Sequence, residues 1–252
     1  MDIQEKVIIL DFGSQYTQLI ARRTRESGVY SEIHPCTITV DELKALQPSA
    51  IILSGGPASV TSPDSPGVDP AIFGWGLPVL GICYGMQLMA HVLGGKVNPS
   101  LDREYGRSEL CFQQQCPLWD RVADGEKLTV WMSHGDHVLE VPPGFTVTAK
   151  TQSIEIAAMA DVERRMYALQ FHPEVAHTEQ GDEILRNFLF HVAGLKSTWT
   201  MSSFVDSMLH ALPVQIGEDK VVCGLSGGIA SPVVAVLLNK AIGKHLHCIF
   251  VD

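Results

Sequence analysis

The sequence predicts an α/β protein: an open twisted sheet, mostly parallel with an antiparallel extension, carrying helices on both faces. Three observations predict it. Short apolar runs alternate with helix-patterned stretches from Val7 to Val92. One of those runs, Val79-Leu80-Gly81-Ile82, passes through Cys83 into a helical pattern. After Gly94-Gly95 the alternation gives way to short strand-like runs separated by turn residues.

Taken in order, Val7 to Phe12 reads as a buried strand, turned by Gly13 and Ser14. Tyr16 to Ser27 reads as a helix stopped by Gly28, and Val29 to Ile33 as an edge-like strand. Thr39-x-x-Glu42 is a capping box for a short helix ending before Pro48. Ala50 to Ser54 is a third buried strand, so the pattern is that of a parallel sheet covered by helices. Pro57 to Gly76 is rich in Pro, Ser, Gly and Asp and reads as a surface loop. The Cys83 strand continues the series. Beyond it, Ser108–Phe112, Leu128–Met132, Phe145–Lys150, Glu155–Ala160 and Arg165–Phe171 form the antiparallel addition.

Composition narrows the function classes. Hydrophobic residues make up 46% and charged residues 18% of the 252, which describes a globular chain with a sizeable core. A net charge of −10 argues against a nucleic-acid surface. No apolar run approaches the roughly 18 residues of a membrane span, so no membrane partner is expected. The opening Met-Asp-Ile-Gln-Glu-Lys is no secretion signal. Six cysteines without a C-x-x-C pair offer no zinc or thioredoxin motif. A cytoplasmic protein with reduced thiols and no metal is the expectation.

Gly81-Ile82-Cys83-Tyr84-Gly85 is G-x-C-x-G, the thiol form of the nucleophile elbow. A nucleophile on a strand-to-helix turn has a strained backbone. The residues two away on either side must be small so that strand and helix can approach. The helix that follows points its positive end at the sulfur and favours thiolate. Alone, the motif fits a buried free cysteine equally well. Ser54-Gly55-Gly56-Pro57-Ala58-Ser59 leaves two glycine N–H groups unshielded, as an oxyanion hole requires, or is a plain Gly-Pro turn. His172 and Glu174 close an apolar strand two residues apart, on one side if extended. A base oriented by a neighbouring carboxylate follows the logic of a catalytic triad; a lone strand-edge histidine is the plainer reading. His34, His91, His177 and His191 have no such setting.

In this order, Ser-Gly-Gly-Pro-Ala-Ser, Gly-Ile-Cys-Tyr-Gly-Met-Gln and Gln-Phe-His-Pro-Glu-Val resemble the motifs of the class I glutamine amidotransferases. The opening Ile-Leu-Asp-Phe-Gly-Ser-Gln-Tyr, the run Arg103-Glu104-Tyr105-Gly106-Arg107 and Met132-Ser133-His134-Gly135-Asp136 resemble the GMP synthase branch of that family. The likeness covers residues 5 to about 195. It implies that Cys83 attacks the glutamine side-chain amide, that His172 moves the protons and that Glu174 holds the imidazole. It implies an oxyanion hole from the N–H groups of Gly56 and Tyr84. It places Gly55, Gln87, Ser133, His134 and Asp136 near the glutamine or an interface. Hydrolysis needs no cofactor; a synthetase domain or subunit is the implied partner. A non-catalytic fragment that binds partners, and another elbow-cysteine hydrolase, are the competing classes.

A boundary falls near Lys196-Ser197-Thr198, dividing the chain into 1–196 and 197–252. Met201 to Leu212 reads as an amphipathic helix ended by Pro213. A strand, Lys220–Leu225, enters Ser226-Gly227-Gly228-Ile229-Ala230-Ser231-Pro232. This resembles the S-G-G-x-D-S pyrophosphate loop of ATP-pyrophosphatase domains, which are adenine-nucleotide α-hydrolase-like and use Mg-ATP. Ser226, Gly227, Gly228 and Ser231 keep the pattern; Ala230 replaces the acidic residue and Pro232 removes an N–H. Leu246 to Val251 reads as the next strand, after which the sequence stops, so the segment is expected to be truncated and not to bind ATP productively.

Overall fold

A computed structural model of the protein describes residues 5–122 and 127–250, the side chains of 99–103 excepted. Met1 to Gln4, the Arg103 side chain and Val251, all used in the sequence reading, lie outside the described residues. Contacts divide the chain into two units, Met1–Thr198 and Trp199–Asp252.

The first unit begins β1 (Lys6–Asp11), α1 (Thr17–Glu26), β2 (Tyr30–Pro35), α2 (Val40–Ala45), β3 (Ala50–Leu53), β4 (Val79–Ile82) and α3 (Tyr84–Val92). It continues with β5 (Lys96–Phe112), β6 (Leu128–Glu140), β7 (Thr146–Lys150), β8 (Ala158–Asp161), β9 (Met166–Leu169) and α4 (Gly181–Asn187). One sheet runs in the order β2-β1-β3-β4-β9-β8-β7-β5-β6. From β2 to β9 all pairings are parallel; β8, β7, β5 and β6 add antiparallel pairings.

Strand alternation explains the two apolar layers. Val7, Ile9, Ile52, Leu80 and Ile82 face α1 through Ile20 and Ala21, and α4 through Ile184 and Leu185. Ile8, Leu10, Ile51 and Leu53 face α2 through Leu43, and α3 through Met86 and Met89. With both faces covered, the central strands are continuous apolar runs, which is why they read clearly in sequence. The Thr39 capping box forms, with Glu42 N–H donating to Thr39 Oγ1 and Thr39 N–H to Glu42 Oε2.

Three local readings change. The stretch expected as a surface loop holds a 3₁₀ turn, Pro70–Gly74, whose Ile72 and Phe73 are buried; Asp69 caps it by accepting from Ala71 N–H. The β5–β6 ribbon is far longer than the apolar runs that announced it. The sequence reading assigned no element between Val175 and Lys196, where α4 runs into a π-helical turn, Phe188–Val192.

The second unit comprises α5 (Met201–Ile216), β10 (Val221–Leu225), α6 (Ala230–Ile242) and β11 (Leu246–Phe250). Strands β10 and β11 pair in parallel from Val221↔Leu246 to Leu225↔Phe250. Pro213 does not end α5: the helix loses one rung and continues to Gly217, whose φ of 61° closes it and whose N–H donates to the Pro213 carbonyl. Among the described residues, no helix is long and apolar enough to cross a membrane.

Candidate active site

Cys83 stands between β4 and α3 with φ 52° and ψ −106°. A non-glycine residue held there costs of order 1–3 kcal/mol and persists only where its surroundings enforce it. The enforcement is visible. Cys83 N–H donates to the Leu169 carbonyl (2.7 Å), and the Cys83 carbonyl accepts from Met86 and Gln87 N–H as the first turn of α3. A Cβ on Gly85 would strike the Leu53 carbonyl oxygen, and one on Gly81 would sit 2.7 Å from the Gly85 carbonyl carbon. The two glycines flanking Cys83 are therefore required by the approach of β3, β4 and α3.

His172 and Glu174 do not close the strand as expected: β9 ends at Leu169, and the bend and turn that follow it carry both residues to the same place, since β9 lies beside β4 in the sheet. The His172 Nδ1–H donates to Glu174 Oε1 at 2.7 Å, which leaves Nε2 to bond the Cys83 side chain. Glu174 is fully buried, and its Oε2 has no partner among the described residues. Burial opposes a charged His172. The Glu174 carboxylate and the bonds to Cys83 and Glu174 outweigh it and push His172 up to about 10. The imidazolium is thus the favoured form beside the sulfur.

These side chains open onto a cavity of about 570 Å³. Gly56, Gln87, Ser133, His134 and Asp136 line it, together with Cys83 and His172. Gly55 lies just behind: a Cβ there would come within 3.0 Å of His172 Cε1. Neither Gly56 nor Tyr84 N–H donates a hydrogen bond among the described residues. Asp136 Oδ2 is a buried atom with no partner among the described residues, while the Asp136 carbonyl accepts from Gln87 Nε2 (2.7 Å). His134 is tied to its own strand, with Nδ1 3.0 Å from the Asp136 carbonyl, and faces β5, with Nε2 3.3 Å from Glu104 Oε2, an ion-pair distance without hydrogen-bond geometry. Ser133 contributes its carbonyl, which accepts from the Cys83 thiol at 3.5 Å.

Comparison with known families decides the membership. The family model described as glutamine amidotransferase class-I matches residues 8–192. The chain belongs to the class I glutamine amidotransferases. Residues 201–251 match a second model, described as NAD synthase. This amidotransferase is 61% identical, over its whole length, to a protein of Solidesulfovibrio magneticus named GMP synthase [glutamine-hydrolyzing]. It is 62% identical to one of the same name from Maridesulfovibrio salexigens. It covers 49% of each, so the chain spans about half the length of the curated relatives it matches. A solved structure from Thermoplasma acidophilum, assigned as one of the subunits of GMP synthase, superposes with a TM-score of 0.64 at 28% identity, covering 76% of this chain and 94% of that one.

Sequence reasoning missed other residues that build the amidotransferase site. Tyr16 sets its ring edge-on to His172, with centroids 5.0 Å apart. Arg23 Nε donates to the Glu174 carbonyl (3.3 Å) and pairs with Asp182. Ser54 Oγ accepts from Phe12 N–H and donates to the Gly55 carbonyl, fixing the glycine pair. Gln170 reaches the Cys83 sulfur. Tyr16, Ser54 and Gln170 all lie inside the amidotransferase motifs, so their positions were available in the sequence; their contacts were not.

The phosphate-like loop belongs to the second unit. Ser226 N–H donates to Ser231 Oγ (3.1 Å), and the two hydroxyls lie 3.3 Å apart. Among the described residues no group of three or more His, Cys, Asp or Glu side chains is placed to hold a metal ion.

Proposed function

We propose that this chain hydrolyses glutamine to glutamate and ammonia with Cys83 as nucleophile, His172 as acid and base, and Glu174 as its orienting carboxylate. The observation that carries the reading is the buried line from Glu174 through His172 to Cys83, ending at the cavity. Cys83 enters as the thiolate beside the His172 imidazolium, its proton already passed to the imidazole, and attacks the side-chain carbonyl carbon of glutamine. The oxyanion forms against the N–H groups of Gly56 and Tyr84. His172 protonates the departing amine, leaving a thioester and ammonia. It then takes a proton from water, whose oxygen displaces Cys83 as glutamate. Gln87, Ser133, His134 and Asp136, with Gly55 behind them, hold the substrate; the unpartnered Asp136 oxygen suits its ammonium group.

The names of the relatives support a further step: the ammonia serves amination of XMP to GMP by a synthetase partner, whether a domain or a separate chain. Release of ammonia and glutamate from glutamine tests this, with and without a separately supplied synthetase domain carrying its nucleotide. Low basal turnover that rises with the partner is expected. No release under either condition overturns the reading in favour of a binding fragment, and full-speed, partner-independent release overturns the coupling.

The loop Ser226–Ser231 fits a nucleotide poorly. Ala230 has no carboxylate to organise magnesium. Pro232 has no N–H for a phosphate oxygen, and Ser226 N–H is already spent on Ser231. Titration calorimetry with Mg-ATP should show no saturable binding tighter than about 0.1 mM, roughly −5.5 kcal/mol. Tighter one-to-one binding would mean that Gly227 and Gly228 suffice as phosphate donors.

A further inference from the structure

We infer that Gln170 is the amide donor that holds the Cys83 thiolate, oriented through Gln87 by the carbonyl of Asp136. The proposal rests on the reading of Cys83 as nucleophile. Gln170 is fully buried at the end of β9, with its N–H bonded to the Ala157 carbonyl. Its side-chain Nε2 lies 3.8 Å from Cys83 Sγ, and its Oε1 lies 3.3 Å from Gln87 Nε2. Gln87 is buried too, and its Nε2 donates to the Asp136 carbonyl at 2.7 Å.

The direction of this chain of bonds is set by chemistry. A backbone carbonyl only accepts, so Gln87 must turn its NH₂ to Asp136. That same NH₂ faces Gln170, which must answer with its oxygen. The Gln170 NH₂ is then left pointing at sulfur. A buried amide could serve packing alone, but an apolar side chain would do that without burying two polar atoms that need partners.

The donor matters because of what else touches the sulfur. The Ser133 carbonyl accepts from the thiol at 3.5 Å, and a carbonyl favours only the protonated form. When the proton passes to His172, that contact turns unfavourable. The groups that then offer a proton to sulfur are the imidazolium and the Gln170 amide. Gln170 and His172 are two apart in sequence, so the short bend that follows β9 supplies both. The Asp136 end of the relay lies in the cavity wall, so the groups that hold substrate and the group that holds the thiolate share one hydrogen-bonded line.

The test reads the thiolate without needing turnover. Alkylation of Cys83 by iodoacetamide is followed against pH, with the modified cysteine identified by mass spectrometry. A hydrogen bond to a charged group at the long end of its range predicts that Gln170→Leu slows Cys83 alkylation about tenfold at neutral pH and moves the profile up by about one pH unit. The plateau at high pH stays. Gln87→Leu, which frees Gln170 to rotate, should move the profile in the same direction by less. Gln170→Glu keeps the shape and replaces the donor with a carboxylate, so it carries the same expectation should the leucine variant fail to fold. Profiles that superpose on the parent protein in a folded variant overturn the proposal and leave Gln170 a packing residue. Wild-type Cys83 that alkylates no faster than Cys36 or Cys111 overturns instead the reading of Cys83 as nucleophile.

Discussion

Replacing Cys83 with alanine is expected to abolish glutamine hydrolysis, by at least about 10⁴-fold, while the fold persists. Alanine has the same backbone limits as cysteine at φ 52°, and the glycines at 81 and 85 still admit the turn. The lost sulfur is small and leaves β4 and α3 paired as before, so the melting temperature should move by no more than a few degrees. A glutamine-like diazoketone should label Cys83 ahead of the other five cysteines, all free in the structure. Cys116 is a poor competitor, since burial pushes its thiol up to about 11. Label found by mass spectrometry on Cys36 or Cys111 in place of Cys83 would remove the nucleophile from the proposed mechanism.

Replacing His172 with alanine is expected to lower kcat by about 10²- to 10⁴-fold, and by more than Glu174→Ala does. In the proposed mechanism the imidazole carries protons between sulfur, amine and water. Glu174 acts on it through one 2.7 Å bond and a buried charge. Greater damage from Glu174→Ala would reverse the two roles. The same variant has a stability signature. Folding raises His172 from its ordinary 6.5 to about 10, so the folded state binds the proton more tightly than the unfolded chain. That contribution is fully present below pH 6.5 and is lost as pH climbs through about 10. The gap in melting temperature between the parent protein and His172→Ala should therefore be widest near pH 6 and narrow toward pH 10. A gap independent of pH would show that the pair is not charged as described.

The parallel half of the sheet was legible because both its faces are buried. Ala50–Leu53 and Val79–Ile82 are buried at every position, so nothing but apolar residues fits and the strands stand out as solid runs. The elbow was legible for a steric reason, since only glycine fits at 81 and 85. The β5–β6 ribbon was not. From Glu104 to Glu109 no residue of β5 is buried, and the strand is held by its pairing with β6 and not by any pattern of its own. In β6 the inward positions Leu128, Val130 and Met132 are followed by His134, a polar residue in an apolar slot. The strand therefore seemed to end at Met132 when it continues to Glu140. Pro213 misled in the opposite sense, as a breaker that α5 tolerates. The grouping of Cys83, His172 and Glu174 was readable from spacing and resemblance, but the relay from Asp136 through Gln87 to Gln170 was not. It joins three segments whose proximity depends on the strand order.

That strand order also dictates when the chemistry becomes possible. Strands β4 and β9 are neighbours in the sheet, yet Gln170 and Cys83 are 87 positions apart. A ribosome adding about 5–20 residues per second makes the elbow several seconds before it makes the base. Even then, β9 must close a long loop before it can lie beside β4, and such closures are slow. Throughout that interval Cys83 is an ordinary thiol with neither imidazole nor amide beside it. Under the proposed mechanism, an unfinished or half-folded chain therefore releases no ammonia until the last central strand has docked.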